Sequence, residues 1–276
     1  MDITPEQQKE LKTIQIDMLK DFLHACQALN LTYFIAGGTL LGAIRHKGFI
    51  HWDDDIDILM PRKDYDIFLE KGQALLPEHC FLQTLYTDPE FPGNYAKIRN
   101  SNTTFVETSA RNCNINHGVY IDVFPLDYCP EGFFSKLKWS VCNTLLNGRI
   151  EAAFYYDKGL PMKSRIKHGV CKLLVPSLQT ALRKRDMLIR SMPKAEKVRN
   201  CSGPWGKREI IPAWWCDESC QLEFEGIPVN GPKEYHQWLT HLYGDYMQLP
   251  PVEKRVGHHY VDVMDLHTPY TVYRDK

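Results

Sequence analysis

Apolar residues recur at helical spacing over Pro5–Leu29, where Leu11, Ile14, Met18, Leu19, Phe22, Cys26 and Leu29 share one side of the repeat. The pattern then tightens. Thr32–Ala36 is a short apolar run that predicts a buried strand, ending in Gly37-Gly38 before a helical stretch from Thr39 to His46. From Asp54 to Met60 acids alternate with aliphatics, as on a strand with one polar face. Pro61, suited to a first helical position, opens a predicted helix through Leu76. Further strands are predicted at Phe81–Tyr86, Tyr95–Arg99, Thr103–Val106 and Val119–Phe124. Helical spacing returns at Leu137, Val141 and Leu145, and again at Val170, Leu173, Leu174, Leu178 and Leu182. A loop-rich section holding Trp205, Trp214 and Trp215 leads to a helix near Lys233–Tyr243 and an irregular tail. Strands and helices mingle without strict alternation or internal repeats. The fold class expected is α/β, a mixed sheet with a helical insertion.

Composition excludes several classes. The 276 residues are 43% hydrophobic and 24% charged, which suits a soluble globular chain rather than a disordered or fibrous one. No apolar stretch is long and clean enough to span a bilayer, and the charged opening Met1–Lys20 lacks the form of an export signal, so a cytoplasmic protein is expected. Nine widely spaced cysteines without an export signal predict reduced thiols. Cys113-x-x-x-His117 and Cys216-x-x-x-Cys220 are isolated pairs, and no structural zinc is expected from them.

Charge adds one asymmetry. Lys+Arg 33 against Asp+Glu 34 argues against a general nucleic-acid binder. Yet residues 136–199 carry 15 basic and 4 acidic residues, a local +11 that leaves the remainder at −12. This basic middle is either the solvated face of a helical pair or a patch that docks on something anionic: a membrane surface, for peripheral contact, a lipid-linked glycan or a polyanionic acceptor, with RNA a weaker reading because no RNA-binding signature accompanies the charge.

The chemistry concentrates at Asp53-Asp54-Asp55-Ile56-Asp57. On a strand, Asp55 and Asp57 point to one face about 6 to 7 Å apart, with Ile56 and Ile58 on the other. Acids so placed repel one another unless a cation lies between them. Oxygen-only ligands favour Mg²⁺ or Mn²⁺. An EF-hand loop starting at Asp53 fails because its sixth position is Ile58 rather than glycine. Gly37-Gly38-Thr39 follows a predicted strand, where backbone N–H groups can approach a phosphate. Asp122, between Ile121 and Val123, is the candidate third carboxylate.

These motifs together carry a resemblance. The stretch Phe34-Ile-Ala-Gly-Gly-Thr-Leu-Leu-Gly-Ala-Ile-Arg-His-Lys-Gly-Phe-Ile-His-Trp-Asp-Asp-Asp-Ile-Asp-Ile58 closely resembles the signature of the LicD family of phosphocholine transferases, relatives of the fukutin-related phosphoribitol transferases. Tyr95-Ala-Lys-Ile-Arg99, Tyr120–Asp127, Tyr243–Pro251 and Gly257-His-His259 look like further family features. The resemblance implies a nucleotidyltransferase-type catalytic core over residues 1–130, a basic helical insertion over 131–200, and a segment 201–276 completing core and site. It also implies transfer of phosphocholine from CDP-choline, or of another alcohol phosphate from its CDP ester, to a sugar hydroxyl of a lipopolysaccharide or teichoic acid precursor, releasing CMP.

Carried onto this chain, Asp55, Asp57 and Asp122 match the metal-binding carboxylates, with Asp122 a candidate for taking the hydroxyl proton. Gly37, Gly38 and Thr39 match the phosphate-cradling turn. Arg45, Lys97 and Arg99 are candidates for donor-phosphate contact, and His258 and His259 for orienting donor or acceptor. A quaternary ammonium would favour an aromatic box. Tyr33, Trp52, Tyr95, Trp205, Trp214 and Trp215 are available for one. Alternatives built on the same acids are a glycosyltransferase, a nucleotidyltransferase releasing pyrophosphate, or a non-catalytic cation-binding module.

Overall fold

The computed structural model describes residues 3–154, 161–255, 257 and 260–273. Helix α1 (Pro5–Leu29) starts where Thr4 and Gln7 close a reciprocal capping box, and stops at Asn30, whose left-handed backbone ends the helix. Its stripe of Leu11, Met18, Leu19 and Phe22 is fully buried against the sheet. Next come β1 (Phe34–Ile35), α2 (Gly37–Arg45), β2 (Asp57–Pro61), α3 (Arg62–Lys71), β3 (Cys80–Gln83), β4 (Ala96–Asn100), β5 (Thr104–Glu107) and β6 (Val119–Tyr128). Helices α4 (Phe133–Phe154), α5 (Met162–Leu174) and α6 (Leu178–Arg190) follow. The chain then forms β7 (Lys197–Asn200), β8 (Ile210–Pro212), β9 (Ser219–Phe224), β10 (Ile227–Pro232), α7 (Tyr235–Tyr243) and β11 (Val261–Asp265).

The main sheet has seven strands. Its order is β1-β2-β6-β4-β3, with β7 on the far half of β6 and β8 beyond it. Among the described residues only β2 and β6 pair in parallel; the other pairs of this sheet are antiparallel. The fold is therefore mixed α/β, as the pattern of apolar positions predicts. Alternation along the strands assigns the faces. Ile58, Ile98, Ile121 and Val123 join the core under α1, whereas Phe34, Leu59 and Leu126 pack on the opposite side with Trp215, Trp238 and Leu242.

Several boundaries differ from expectation for physical reasons. The strand expected from Asp54 begins at Asp57, because the preceding residues turn instead: Asp53 N–H donates to Ile50 O at 2.9 Å. Pro61 caps α3 rather than opening it, and the helix gives way at Gly72 to one tighter 3₁₀ turn ending at Leu75. β6 runs past Phe124 to Tyr128 because Leu126–Tyr128 find a second partner in β7. The loop-rich section contains β7, β8 and the β9–β10 hairpin, and the tail contains β11, which pairs with β5.

The basic middle forms α4–α6 around a small apolar centre of Leu146, Ile150, Ala181 and Leu182. Arg185 ties this unit to the core region: it donates to Asn94 Oδ1 (2.6 Å), Asn143 Oδ1 (3.1 Å) and the Cys201 carbonyl (2.8 Å). Among the described residues no helix is long and apolar enough to cross a membrane, and all nine cysteines are free.

A buried ion pair anchors α3 to the central strand. Arg62 Nε and Nη2 donate to the two carboxylate oxygens of Asp127 at 2.7 and 2.8 Å, and Asp127 is only 2% exposed. Removing one partner strands a buried charge, so Arg62→Ala should cost about 3–5 kcal/mol in urea unfolding. The paired change Arg62→Met with Asp127→Leu should recover most of that loss; equal instability of single and double variants would contradict this account.

Candidate active site

The site is built where β1 passes through Gly37-Gly38 into α2. Gly37 holds a left-handed φ of 52°, and a Cβ there would lie 2.5 Å from Asp57 Oδ2. A Cβ on Gly38 would collide with Asp53 Oδ2. Glycine is needed at both positions because carboxylates lean directly over the backbone. The first N–H groups of a helix have no partners within it, so this turn offers donors to an anion. Thr39 Oγ1 accepts from the Asp57 N–H at 2.9 Å and pins the start of β2 against the turn.

The sheet then sets the acids in a row. Asp57 on β2 stands opposite Asp122 on β6, and Asp122 opposite Lys97 on β4. Asp55, in the loop before β2, completes the group: one oxygen from each of Asp55, Asp57 and Asp122 lies within 4.8 Å of the others. Asp53, Asp54 and Asp55 form a second such group, joined to the first through Asp55. Desolvation pushes the Asp57 carboxyl well above its ordinary range, reinforced by the charges of Asp55, Asp122 and Asp53; Lys97 opposes this. An all-oxygen set of mutually repelling carboxylates fits a hard divalent cation and does not resemble a zinc site.

Lys97 and Arg99 occupy different places from those of phosphate ligands at a surface. Lys97 is buried, with its ammonium 3.1 Å from Asp122 Oδ1, 3.5 Å from Glu107 Oε2 and 3.2 Å from the Tyr120 ring centroid. It supplies the positive charge inside the row. Arg99 is fully buried and donates to Gln83 Oε1 and the Gly118 carbonyl, each at 2.8 Å, and to Glu107 Oε2 at 3.2 Å. Its guanidinium joins β3, β5 and the start of β6 from inside the fold. Arg45 lies at the opposite end of α2 from the glycine turn, about 12 Å along the axis. It donates to the Tyr246 carbonyl at 2.7 Å, joining α2 to the C-terminal segment. His258 and His259 lie outside the described residues. Gly257 does not: a Cβ there would sit 3.5 Å from Asp54 Oδ2, so Gly257 itself lies beside the acidic loop.

The candidate aromatics do not form one box. Tyr33 is core, its hydroxyl accepting from the Asn230 N–H, and Trp215 packs beside Trp238. Tyr95 is half-buried against Phe124, and Trp52 faces Arg255. Trp205 meets Tyr243 edge to face at 5.2 Å. Burial raises the Tyr243 hydroxyl, and the charges of Asp57 and Asp53 raise it further, which puts this aromatic pair on the flank of the acids.

Two residues outside the glycine turn and the acidic motifs, Gln15 and Glu107, also reach the site. Gln15, 2% exposed, donates to the carbonyls of Asp54 (2.8 Å) and Tyr120 (3.3 Å), stitching the acidic loop to β6. Its signal is a polar residue at the position of the α1 apolar stripe between Leu11 and Met18. Glu107 comes from β5 and gathers Lys97, Arg99 and Tyr120; nothing local in the sequence marks it.

Comparison with known proteins follows this geometry. Residues 30–176 match the family profile described as LicD/FKTN/FKRP, nucleotidyltransferase domain. The chain is 29% identical to the lipopolysaccharide cholinephosphotransferase LicD of Haemophilus influenzae, over 91% of this chain and 95% of that protein. It is also 29% identical to an uncharacterised protein of Rickettsia prowazekii, over 58% of this chain and 48% of that one. With the profile spanning more than half of its length and containing both the glycine turn and the acidic row, the chain belongs to the LicD family.

Proposed function

We propose that this protein transfers phosphocholine from CDP-choline to a sugar hydroxyl of a lipopolysaccharide-type glycan precursor, releasing CMP. The observation that carries the reading is the acidic row set against the Gly37–Thr39 turn, in a chain alike over nearly its whole length to a lipopolysaccharide cholinephosphotransferase. Asp55, Asp57 and Asp122 are the residues to hold Mg²⁺ or Mn²⁺. Bound there, the cation would spread the charge that develops on the transferred phosphoryl group and on departing CMP.

The protein's own groups account for the rest. Backbone N–H groups of the glycine turn face the diphosphate, and Thr39 holds Asp57 at its edge. Lys97 balances part of the negative charge that the row concentrates, so that the acids stay gathered in the folded chain. The acceptor hydroxyl attacks the phosphorus that bears choline, in line with the bond to CMP, and its proton passes to a carboxylate of the cluster. Three products separate the enzymatic readings: CMP for this transfer, a nucleoside diphosphate for a glycosyltransferase, pyrophosphate for a nucleotidyltransferase.

Replacing Asp55 or Asp57 by asparagine should lower CMP release from CDP-choline by about a hundredfold or more, with the circular dichroism spectrum unchanged. Near-normal turnover in either purified variant would remove that acid from the mechanism.

Stability should move the other way. Because the Asp57 carboxyl is raised in the folded chain, the metal-free fold binds more protons than the unfolded chain between the ordinary carboxylate value and the raised one. Its stability therefore falls as pH rises through that window, and added Mg²⁺ should raise the melting temperature more at neutral than at acid pH. Asp57→Asn should melt higher than the parent in a chelator at neutral pH and gain little from Mg²⁺. A variant that melts lower in chelator would show that repulsion is not the governing term.

A further inference from the structure

Helix α5 is built inside out. His168 and Cys171 are buried, the latter so close to α4 that a Cβ on Gly148 would sit 2.7 Å from its sulfur. His168 Nε2 lies 3.8 Å from Glu151 on the same side. The apolar residues point the other way: Met162, Ile166, Val170, Leu173 and Leu174 are all exposed, Ile166 by 60% and Leu173 by 80%. At 3.6 residues per turn these five positions share an arc of roughly 120° opposite the buried pair. Lys163 stands within that arc and Lys167 beside it, Lys167 ion-paired with Glu151 at 2.8 Å; Arg165 and Lys172, also exposed, lie farther round the helix toward its buried side. Phe133 and Phe134, 73% and 83% exposed, open the neighbouring α4.

A surface helix ordinarily turns its apolar stripe inward. Here the stripe faces away from the protein with cations in and beside it, the arrangement of a helix that lies in a lipid interface. We infer that the outward face of α5 docks the protein on an anionic membrane surface, the apolar side chains entering the acyl boundary and the lysines and arginine meeting lipid phosphates. Charge selects this occupant over a second copy of the chain. In a symmetric pair the same cations would face one another, and residues 136–199 already hold 15 basic residues against 4 acidic. Size agrees: the face is about 20 Å by 10 Å, small beside the roughly 800 Å² per partner that stable protein pairs bury. The docking stands on α5 alone; its use, bringing the site to a lipid-linked acceptor, rests on the transfer reaction proposed above.

Co-sedimentation of the full chain with vesicles of phosphatidylcholine, with and without phosphatidylglycerol, tests this. The chain should pellet with the anionic vesicles, and added salt should release it. Ile166→Asp with Leu173→Asp, and separately Lys163→Glu with Lys172→Glu, should each weaken vesicle binding by about tenfold or more, leaving CMP release unchanged with a soluble acceptor. Equal partition onto both vesicle types, no pelleting, or variants that bind like the parent would overturn the inference. So would a concentration-dependent dimer in sedimentation velocity that the first variant abolishes while the parent ignores vesicles, since a second copy would then cover the face. A chain that pellets with anionic vesicles yet releases no CMP from CDP-choline would leave the docking intact and sink the transfer reaction.

Discussion

Parallel pairing of β2 with β6 is the constraint on which the molecule turns. It brings Asp57 directly across from Asp122, so the main sheet cannot form without pressing two like charges together. Hydrophobic burial on the opposite face, by Ile58, Ile121 and Val123 under α1, supplies the free energy that holds them there. The remaining polar architecture answers the same repulsion. Lys97 enters the row from β4, Thr39 fixes the Asp57 backbone, and two glycines clear space for the carboxylates above α2. A site whose charge is only partly balanced by the protein is strained until something positive joins it.

The division of charge along the chain has a related logic. The proposed donor is an anion approaching a body whose residues outside 136–199 sum to −12. An anionic diphosphate and a row of carboxylates repel each other as strongly as the carboxylates do among themselves. In the proposed reaction a divalent cation would remove both penalties at once, which would make donor and cation thermodynamically coupled ligands, each tightening the other.

Much of this was legible in the sequence, for reasons that can be named. The glycine pair, the alternating acids and Asp122 act through local geometry: a turn, a two-residue repeat and an acid within an aliphatic strand. Asp55 and Asp57 converge as expected although the strand begins three residues later, since a loop can deliver Asp55 to the same place. Contacts made across long stretches of sequence left no such trace. Arg99 reads as an exposed cation until Gln83, Gly118 and Glu107 surround it, and β11 reads as an irregular tail until β5 supplies its partner. β7 and β8 are too short to announce themselves and are defined by the free edge of β6. The basic segment was recognisable as helical, but no count of charges shows that α5 presents its apolar side to solvent.

The clamp made by Gln15 reaches beyond the site. The family profile begins at residue 30, after α1 has ended, and stops at residue 176, before β7 and β8 complete the sheet. Yet α1 covers one face of the core and, through a single amide, joins the acidic loop to the central strand. A fragment trimmed to the matched span would keep every carboxylate of the site and lose both the lid of its hydrophobic interior and the strands β7 and β8 beside β6. The minimal unit of folding in this protein is therefore larger than the minimal unit of recognisable ancestry.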